Sequence, residues 1–225
     1  MNFDADYGRI YETFSQRSIP GYDLIFDLAN HFLAESLTES ADILVIGAGG
    51  GKEIVTFGSA HPGWRFVGVD PAAQMIAFAQ SKAEQHGLSD RVQLIQGFAQ
   101  DVPTDSLFDA ATCILVFPFV HGDEAKLATL KAISEHLKPG APFVIVTTCE
   151  ETFRDDYRAI WRARQIERGA TPEMVAKAQQ DVFASIQPVA AARLLELMSE
   201  AGFSDAVPFY RAIWFAGWFV WKKKD

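Results

Sequence analysis

The feature that most constrains the fold is an apolar run that ends in a cluster of glycines. Residues 41–46 read ADILVI and continue into Gly47-Ala48-Gly49-Gly50-Gly51. A buried strand that enters a glycine turn lets a ligand approach the backbone closely, because glycine has no Cβ. Asp70 ends the next apolar segment, WRFVGVD, nineteen positions after Gly51. A carboxylate there can accept hydrogen bonds from ribose hydroxyls, so the pair predicts a nucleoside site at the carboxyl edge of a sheet.

The residues around the glycines narrow the class of nucleoside. The dinucleotide pattern G-x-G-x-x-G, started at Gly47, requires glycine where the chain has Lys52. A phosphate loop of the type G-x-x-x-x-G-K-[ST] also fails, because Glu53 follows Lys52 and Ile46 takes the first glycine position. Glu53 at the start of the following helix would repel a pyrophosphate. A sulfonium amino acid, which is cationic, suits these acidic surroundings better.

Strand-like and helix-like segments alternate along the chain. Strands are predicted over residues 41–46, 64–70, 92–97, 108–117, 142–148, 207–210 and 214–222. Alternation of this kind predicts βαβ units and a parallel sheet that is covered on both faces. The last two strands have no full helix between them, which predicts an antiparallel C-terminal hairpin. We expect a Rossmann-like, doubly wound α/β fold with a seven-stranded, mostly parallel sheet.

The length of 225 residues predicts one domain with elaborations. We expect residues 1–30 to form an N-terminal lid and residues 149–188 to form a helical insertion after the fifth strand. Tyr7, Tyr11 and Phe14 lie at helical spacing, and two interpretations of them stay open. Either they close over the site, or they pack into the core.

Composition limits the partners that the chain can have. A net charge of −9 disfavours binding to nucleic acid, which relies on clustered lysine and arginine. The two cysteines lie in apolar runs and show no metal-ligand spacing. The N-terminus lacks an apolar signal core, and no apolar run is long enough to span a membrane. We therefore expect a cytoplasmic protein, monomer or homodimer, that acts on a small molecule without a metal.

Several segments together resemble the class I S-adenosylmethionine-dependent methyltransferases. VIGAGGGKE is similar to their motif I, and VGVDPA is similar to their second motif. FDAATCILVF resembles their fourth strand, and HLKPGAPFVIV resembles the turn before their fifth strand. The segment from Gly97 to Asp101 resembles the loop that flanks adenine in this family. The resemblance covers residues 41–148 and implies S-adenosyl-L-methionine as the cofactor.

A narrower resemblance links both ends of the chain to the carboxy-S-adenosylmethionine synthases. Arg17-Ser18-Ile19-Pro20-Gly21-Tyr22 resembles a segment of that group whose tyrosine lies over the cofactor. Those enzymes use prephenate to convert the methyl group into a carboxymethyl group. The arginine that holds the extra carboxylate aligns with Leu197 in this chain, and Arg193 lies one helical turn earlier. Arg193 either substitutes for that arginine or has a surface role.

The two resemblances imply a set of cofactor-binding residues. These are Tyr22, Gly47, Ala48, Gly49, Asp70, Pro71, Phe98, Ala99 and Leu115. The backbone of the glycine turn would face the methionine portion, and the Leu115 carbonyl would accept from the ligand's ammonium group. Phe98 replaces an acidic residue of the family. Its ring either stacks beside adenine, with the Phe98 or Ala99 backbone making the polar contact, or belongs to the core.

The acceptor end of the site carries few signals. His121, just after the fourth strand, is a candidate general base, although a loop histidine of this kind is also consistent with a structural role. Trp161 with Arg158 or Arg162 could bind an anionic aromatic acceptor. The alternative is an amphipathic lid helix with solvated arginines.

The leading hypothesis is therefore an S-adenosylmethionine-dependent methyltransferase that acts on an unidentified small molecule. A carboxymethyl-forming enzyme that uses prephenate is the second hypothesis. A non-catalytic module that binds S-adenosylmethionine is the third. A nicotinamide dehydrogenase is disfavoured, because Lys52 breaks the dinucleotide pattern.

Overall fold

The structure is a computed structural model that describes residues 5–103 and 106–224. Side chains are described from residue 11 onward within these ranges. Residues 1–4 of the expected lid and the Tyr7 side chain therefore lie outside the described residues.

Within the described part of the chain, the strands form one mixed sheet. The strands are β1 (Ala41–Ile46), β2 (Trp64–Asp70), β3 (Val92–Gln96), β4 (Ala110–Ile114), β5 (Pro142–Thr148), β6 (Phe203–Ala212) and β7 (Phe215–Lys222). Their order across the sheet is β3-β2-β1-β4-β5-β7-β6. The first five strands pair in parallel, whereas β7 runs antiparallel to both β5 and β6. The expected Rossmann-like sheet with an antiparallel C-terminal hairpin is confirmed.

Helices cover both faces of this sheet. The helices are α1 (Ala5–Ser18), α2 (Tyr22–Ser36), α3 (Lys52–Ala60), α4 (Ala73–Gln85), α5 (Asp123–Glu135), α6 (Asp155–Glu167), α7 (Pro172–Ser185) and α8 (Ala191–Glu200). Buried side chains of α2 and α3 share one core cluster, and those of α5 and α8 share the other. A parallel sheet buried on both faces requires apolar residues without polar alternation. This is why every residue of β5, PFVIVTT, is buried.

Two strands, β4 and β6, differ from their predicted bounds by more than one residue. β4 ends at Ile114 rather than at residue 117, because Leu115 adopts a left-handed conformation (φ 65°) and the chain leaves the sheet there. β6 begins at Phe203, earlier than predicted. It pairs with β7 through register shifts, including one between Ser204 and Val207, which disturb the apolar alternation.

The N-terminal region divides into two parts with different packing. In α2, Ile25, Ala29 and Leu33 are fully buried and belong to the core cluster shared with α3. The expected lid over residues 1–30 thus includes the start of a core helix. α1 contacts both α4 and α6.

The insertion after β5 consists of α6 and α7, as the sequence predicts. Trp161 of α6 is buried, with its ring 5.3 Å from Phe183 of α7 and 5.8 Å from Trp214 (centroid distances). These aromatic contacts fix the inserted helices to the C-terminal hairpin. In the described residues, no helix is both long and apolar enough to cross a bilayer.

Candidate functional site

The candidate site lies where the order of the sheet reverses. β1 and β4 are neighbours, with Ile46 paired in register to Cys113. The chain leaves β1 toward β2 on one side, whereas β4 continues toward β5 on the other. Ligands of doubly wound folds bind in the crevice that opens at such a point, outside the carboxyl ends of the strands. The glycine turn after β1 and Leu115 after β4 both lie at this crevice.

Gly47 holds the turn in a conformation that other residues reach only with strain. Its φ is 69°, in the left-handed region. A Cβ built on Gly47 would overlap the Val116 side chain. The turn can therefore approach the end of β4 only because position 47 lacks a side chain.

Asp70 ties the glycine turn to the end of β2. Its Oδ2 accepts a hydrogen bond from the Gly49 N–H at 3.0 Å, and its Oδ1 accepts one from the Ala72 N–H at 2.9 Å. Burial raises the pKa of this carboxyl, and the two backbone donors oppose that rise. A carboxylate has about four acceptor positions, so two stay available for a ligand. Asp70 thus organises the turn as well as offering acceptors, a dual role that the sequence did not reveal.

Leu115 combines burial with a strained backbone. Its left-handed φ of 65° is costly for a residue with a Cβ, and its N–H donates to the Val146 carbonyl at 2.8 Å. That bond to β5 holds the chain as it turns away from β4. The residue lies in the cleft wall, and its expected backbone contact with a ligand stays a prediction.

A narrow cleft runs between the glycine turn and the N-terminal helices. It is lined by Tyr11, Glu12, Tyr22, Phe26, residues 47–50, Lys52, Glu53, Phe78, Lys82, Ile114 and Leu115. Tyr22, predicted from the narrower resemblance, is buried, and its ring meets Phe26 edge-on at 5.0 Å. Across the described residues, no group of three His, Cys, Asp or Glu side chains could hold a metal ion.

The basic and acidic side chains of the cleft differ in whether they have an ion-pair partner. The Lys52 ammonium pairs with Asp23 at 2.8 Å, and the Lys82 ammonium pairs with Glu12 at 2.6 Å. Glu53 is only 4% exposed, and its Oε1 accepts a hydrogen bond from the Thr112 hydroxyl at 3.3 Å. Burial, as the largest cause, raises the Glu53 pKa to about 8. The two lysines are thus already neutralised, and the buried acid has no cation of its own among the described ion pairs.

Phe98 is not a core residue. Its side chain is 62% exposed, beyond the end of β3, and Ala99 beside it is buried. The Phe98 N–H donates to Asp101 Oδ2 at 2.8 Å. Of the two expected roles for the ring, core packing is therefore wrong. Of the two backbone amides suggested for adenine, the Phe98 N–H is already engaged.

Pro71 and α1 also lie close to the expected site. The Pro71 carbonyl accepts a hydrogen bond from the Gln96 side chain at 3.4 Å. Tyr11 of α1 lines the cleft, whereas Phe14 packs against the core cluster that contains Tyr22. The residues of α1 thus divide between the two interpretations that the sequence left open.

The cleft lining does not include His121 or Arg193, nor does it include Asp70, Pro71, Phe98 or Ala99. His121 is exposed, and its Nε2 bonds the Ser185 carbonyl at 3.0 Å, at the end of α7. Arg193 binds carboxylates on the surface of α5 and α8: Asp123 at 2.7 Å, Glu196 at 2.8 Å and Glu200 at 3.1 Å. The surface role expected for Arg193 is the one that these contacts describe.

The arginines of α6 are engaged in contacts within the insertion. The Arg158 guanidinium lies 4.7 Å from the centre of the Phe153 ring and pairs with Asp155. Arg162 donates to Gln179 of α7 at 3.1 Å. These contacts favour the lid-helix interpretation of this segment over a ready-made anion site.

The aromatic and basic residues that complete the cleft were not predicted from the sequence. Phe26 lies four residues after Tyr22 on α2, and Lys82 lies four residues after Phe78 on α4. Spacing of four places side chains on one helical face, so this signal was present in the sequence. What the spacing does not show is which face turns toward the glycine turn.

The hydrogen-bonding, charged and aromatic groups around the glycine turn fit S-adenosylmethionine. Its ribose requires acceptors, which Asp70 has left over. Its sulfonium and ammonium groups suit acidic neighbours, and the acids Asp70 and Glu53 border the turn without an ion-pair partner among the described residues. Its adenine requires an apolar platform, and the exposed ring of Phe98 lies past β3. A pyrophosphate fits poorly, because both cleft lysines are already paired.

Comparison with known proteins agrees with this geometry. Residues 43–140 match the family model described as "Methyltransferase domain". The chain is similar to the cypemycin N-terminal methyltransferase of Streptomyces sp, at 29% identity over 139 residues. That alignment covers 61% of this chain and 53% of the relative. It is also similar to the carboxy-S-adenosyl-L-methionine synthase of Campylobacter hominis, at 28% identity over 87 residues, covering 39% of this chain and 37% of the relative.

The fold comparison extends beyond the matched segment. A solved S-adenosylmethionine-dependent methyltransferase from Methanosarcina mazei superposes with a TM-score of 0.63 at 19% identity, covering 86% of this chain and 98% of that one. The chain spans about half or less of the length of the two curated relatives. Residues 43–140 thus match a methyltransferase-domain model, and the chain has a fold similar to that of a solved S-adenosylmethionine-dependent methyltransferase.

Proposed function

We propose that the chain binds S-adenosylmethionine in the cleft and transfers its methyl group to a small-molecule acceptor. The observation that carries this proposal is the glycine turn held by the Asp70 carboxylate, with the acid of Glu53 beside it. The negative charge of Asp70 suits a nucleoside with a positive charge and disfavours a pyrophosphate, and Glu53 adds a second negative charge where it ionises.

Each part of the ligand has a partner in this proposal. The backbone of residues 47–49 faces the methionine portion, and the Leu115 carbonyl accepts from its ammonium group. Asp70, with Pro71 beside it, binds the ribose hydroxyls. Phe98 stacks on adenine, and the Ala99 N–H makes the polar contact, because the Phe98 N–H already donates to Asp101.

When bound, the cofactor supplies a methyl group that is bonded to a positively charged sulfur. A nucleophile can attack the methyl carbon in line with that bond and displace the sulfur. The protein's part in such a step is to orient the reactants and to exclude water. Tyr22 and Tyr11 close the cleft from the N-terminal side. We therefore assign no covalent nucleophile and no metal to the reaction.

We propose that α1 acts as a lid that closes over the bound ligand. Its residue Glu12 bridges the cleft to Lys82 of α4 at 2.6 Å. Its last turn contacts α6, where the Ser18 hydroxyl donates to Gln165 at 3.1 Å and the Arg17 carbonyl accepts from Arg164. α1 therefore contacts both the cofactor cleft and the insertion. This arrangement supports the proposal that the acceptor binds between the cleft and the insertion.

The first expected result is direct binding of the cofactor product. Calorimetric titration of the purified protein with S-adenosylhomocysteine should give a dissociation constant on the order of 1–100 μM. Saturating ligand should also raise the melting temperature, because it binds only the folded state. No heat and no thermal shift with either S-adenosylmethionine or S-adenosylhomocysteine would contradict the proposal.

The similarity over 87 residues to a carboxy-S-adenosyl-L-methionine synthase favours a second candidate, the carboxymethyl-forming reaction. Against it, Leu197 is fully buried in the core and Arg193 is engaged with three carboxylates. Native mass spectrometry of the protein as purified separates the two candidates. A bound carboxylated sulfonium nucleoside would favour the second candidate, whereas S-adenosylmethionine or S-adenosylhomocysteine agrees with the first.

Phe98→Ala should weaken binding of S-adenosylhomocysteine about fivefold, since base–aromatic stacking contributes about 1 kcal/mol or more. The side chain is 62% exposed, so the melting temperature without ligand should change little. Leu107→Ala is the matched control. Leu107 is also exposed (49%), but it lies before the amino-terminal end of β4, whereas Phe98 follows the carboxyl end of β3. Equal affinities for Phe98→Ala and wild type would place adenine elsewhere.

A further inference from the structure

We propose that Glu53 recognises the positive charge of the ligand and releases its proton to solvent when that charge binds. This inference rests on the proposed function and assigns to the same cleft a residue that fixes its charge preference. It also predicts that cofactor affinity depends on pH. Three observations support this role: the position of the carboxyl group, the absence of a counterion for it among the described residues and the chemistry of its neighbours.

The position of Glu53 is set by the start of α3. Gly51, in a left-handed conformation (φ 73°), precedes the helix, and Glu53 is its second residue. The side chain turns inward, where Thr112 of β4 donates a hydrogen bond to Oε1. At 4% exposure the carboxyl is nearly removed from water, yet it lies in the wall of the cleft beside the glycine turn.

No cation within the described residues neutralises this carboxyl. The titratable and charged groups around it are Tyr22 and Asp23 of α2, Lys52 of α3, Asp70 at the end of β2, Cys113 of β4, and, across the cleft, Tyr11 and Glu12 of α1 and Lys82 of α4. Both lysines are already paired with carboxylates, Lys52 with Asp23 and Lys82 with Glu12. Burial raises the pKa values of the Tyr22 hydroxyl and the Cys113 thiol, so both stay neutral.

These surroundings keep Glu53 protonated in the free protein. Burial raises its pKa to about 8, and the negative charge of Asp70 adds to the rise. The backbone N–H at the helix start and the Thr112 hydroxyl stabilise the ionised form, but they do not offset the cost of burial. A site that accepts a sulfonium amino acid thus contains an acid that is uncharged until a positive charge enters.

On binding, the positive charge of the ligand takes the place of the Glu53 proton. The neutral acid and the cationic ligand become a carboxylate paired with the cation, and one proton goes to the buffer. Because the ligand favours the ionised acid, its affinity should rise by up to tenfold per pH unit below about pH 8. Above that pH the acid is already ionised in the free protein, and the affinity should level off. A neutral nucleoside such as adenosine should release no proton.

Calorimetry in two buffers tests the exchange directly. S-adenosylmethionine, S-adenosylhomocysteine and adenosine are each titrated into the full chain at pH 6.0, 6.75 and 7.5, in phosphate and in imidazole, which both buffer in this range and differ in ionisation enthalpy. The difference in heat between the buffers gives the number of protons released. We expect about one proton for S-adenosylmethionine and none for adenosine. Release with S-adenosylhomocysteine as well identifies the ammonium group as the partner, and release with S-adenosylmethionine alone identifies the sulfonium.

Glu53→Gln keeps the shape of the side chain but has no proton to lose. We expect this variant to bind S-adenosylmethionine at least tenfold more weakly than wild type at pH 7.5, with no proton release and no rise in affinity with pH. Glu135→Gln, the same change at an exposed site on α5, should behave as wild type. If Glu53→Gln does not fold, the proton count of the wild-type protein still decides the matter.

The outcomes separate this inference from the proposed function. Absence of binding by either sulfur ligand at every pH overturns the proposed function and the role of Glu53 with it. Binding without proton release, with the same pH dependence in wild type and in Glu53→Gln, overturns the role of Glu53 alone.

Discussion

Replacing Gly47 by alanine should lower the free energy of unfolding by about 2–5 kcal/mol. A left-handed φ costs a residue with a Cβ about 1–2 kcal/mol, and overpacking adds about 1–3 kcal/mol. Both costs apply at Gly47, because its φ is 69° and the added methyl group would overlap Val116. Denaturant unfolding followed by circular dichroism measures the change. The shift of Val116 should also displace Leu115 and weaken S-adenosylhomocysteine binding.

Gly87→Ala separates the two costs. Gly87 has almost the same φ, 67°, but a Cβ there would have no neighbour within 4 Å. It should therefore lose only the conformational part, about 1–2 kcal/mol, and bind S-adenosylhomocysteine as wild type does. If the two variants lose equal stability, the close approach of the glycine turn to β4 does not matter energetically.

Replacing Asp70 by alanine should reduce S-adenosylhomocysteine affinity at least 100-fold. The change removes the ribose acceptors and leaves the N–H groups of Gly49 and Ala72 without their partner. Each unsatisfied donor costs about 1–3 kcal/mol, and a factor of 100 in affinity corresponds to about 2.8 kcal/mol. Calorimetry measures the affinity. Asp70→Asn, which keeps one carbonyl oxygen, should fall between alanine and wild type.

Asp109→Ala is the matched control for this carboxylate. Asp109 also accepts a backbone hydrogen bond, from Asp42 at 3.0 Å, and it pairs with Lys138 at 2.7 Å. Asp109 directly precedes the amino-terminal end of β4, whereas the cleft lies at the carboxyl ends of the strands. The variant should lose some stability and keep the wild-type affinity. Equal losses of affinity at Asp70 and Asp109 would indicate a general effect of destabilisation rather than a lost ligand contact.

Periodicity and glycine placement predicted the sheet and a candidate nucleoside site at its carboxyl edge. The run from Ile43 to Ile46 and the strand ending at Asp70 are apolar because both faces of the sheet are covered, and this leaves a local signal in the sequence. The end of β4 was predicted three residues too late, because the left-handed conformation of Leu115 depends on the Val146 carbonyl of β5. A contact between residues so distant in the chain leaves no local pattern.

Candidate side chains were harder to judge than strands. Phe98 and Trp161 both read as aromatic residues with two possible roles, yet one is 62% exposed and the other is buried between Phe183 and Trp214. Arg193 was one helical turn from the expected position, and only the structure shows its three carboxylate partners. Exposure and pairing depend on neighbours from other elements, which single-sequence spacing does not report.

By itself, the sequence determined the strand, the glycine turn and the acidic strand end of the candidate site, because these are local features with local causes. Tertiary structure decided the charge state of that site. Glutamate is an acid in any sequence, but only the position of α3 beside β4 buries Glu53 with no counterion in the described part of the chain, while Asp23 and Glu12 neutralise the two cleft lysines. The physical reason is that the cost of burying a charge depends on everything around it, whereas a turn depends mainly on its own residues.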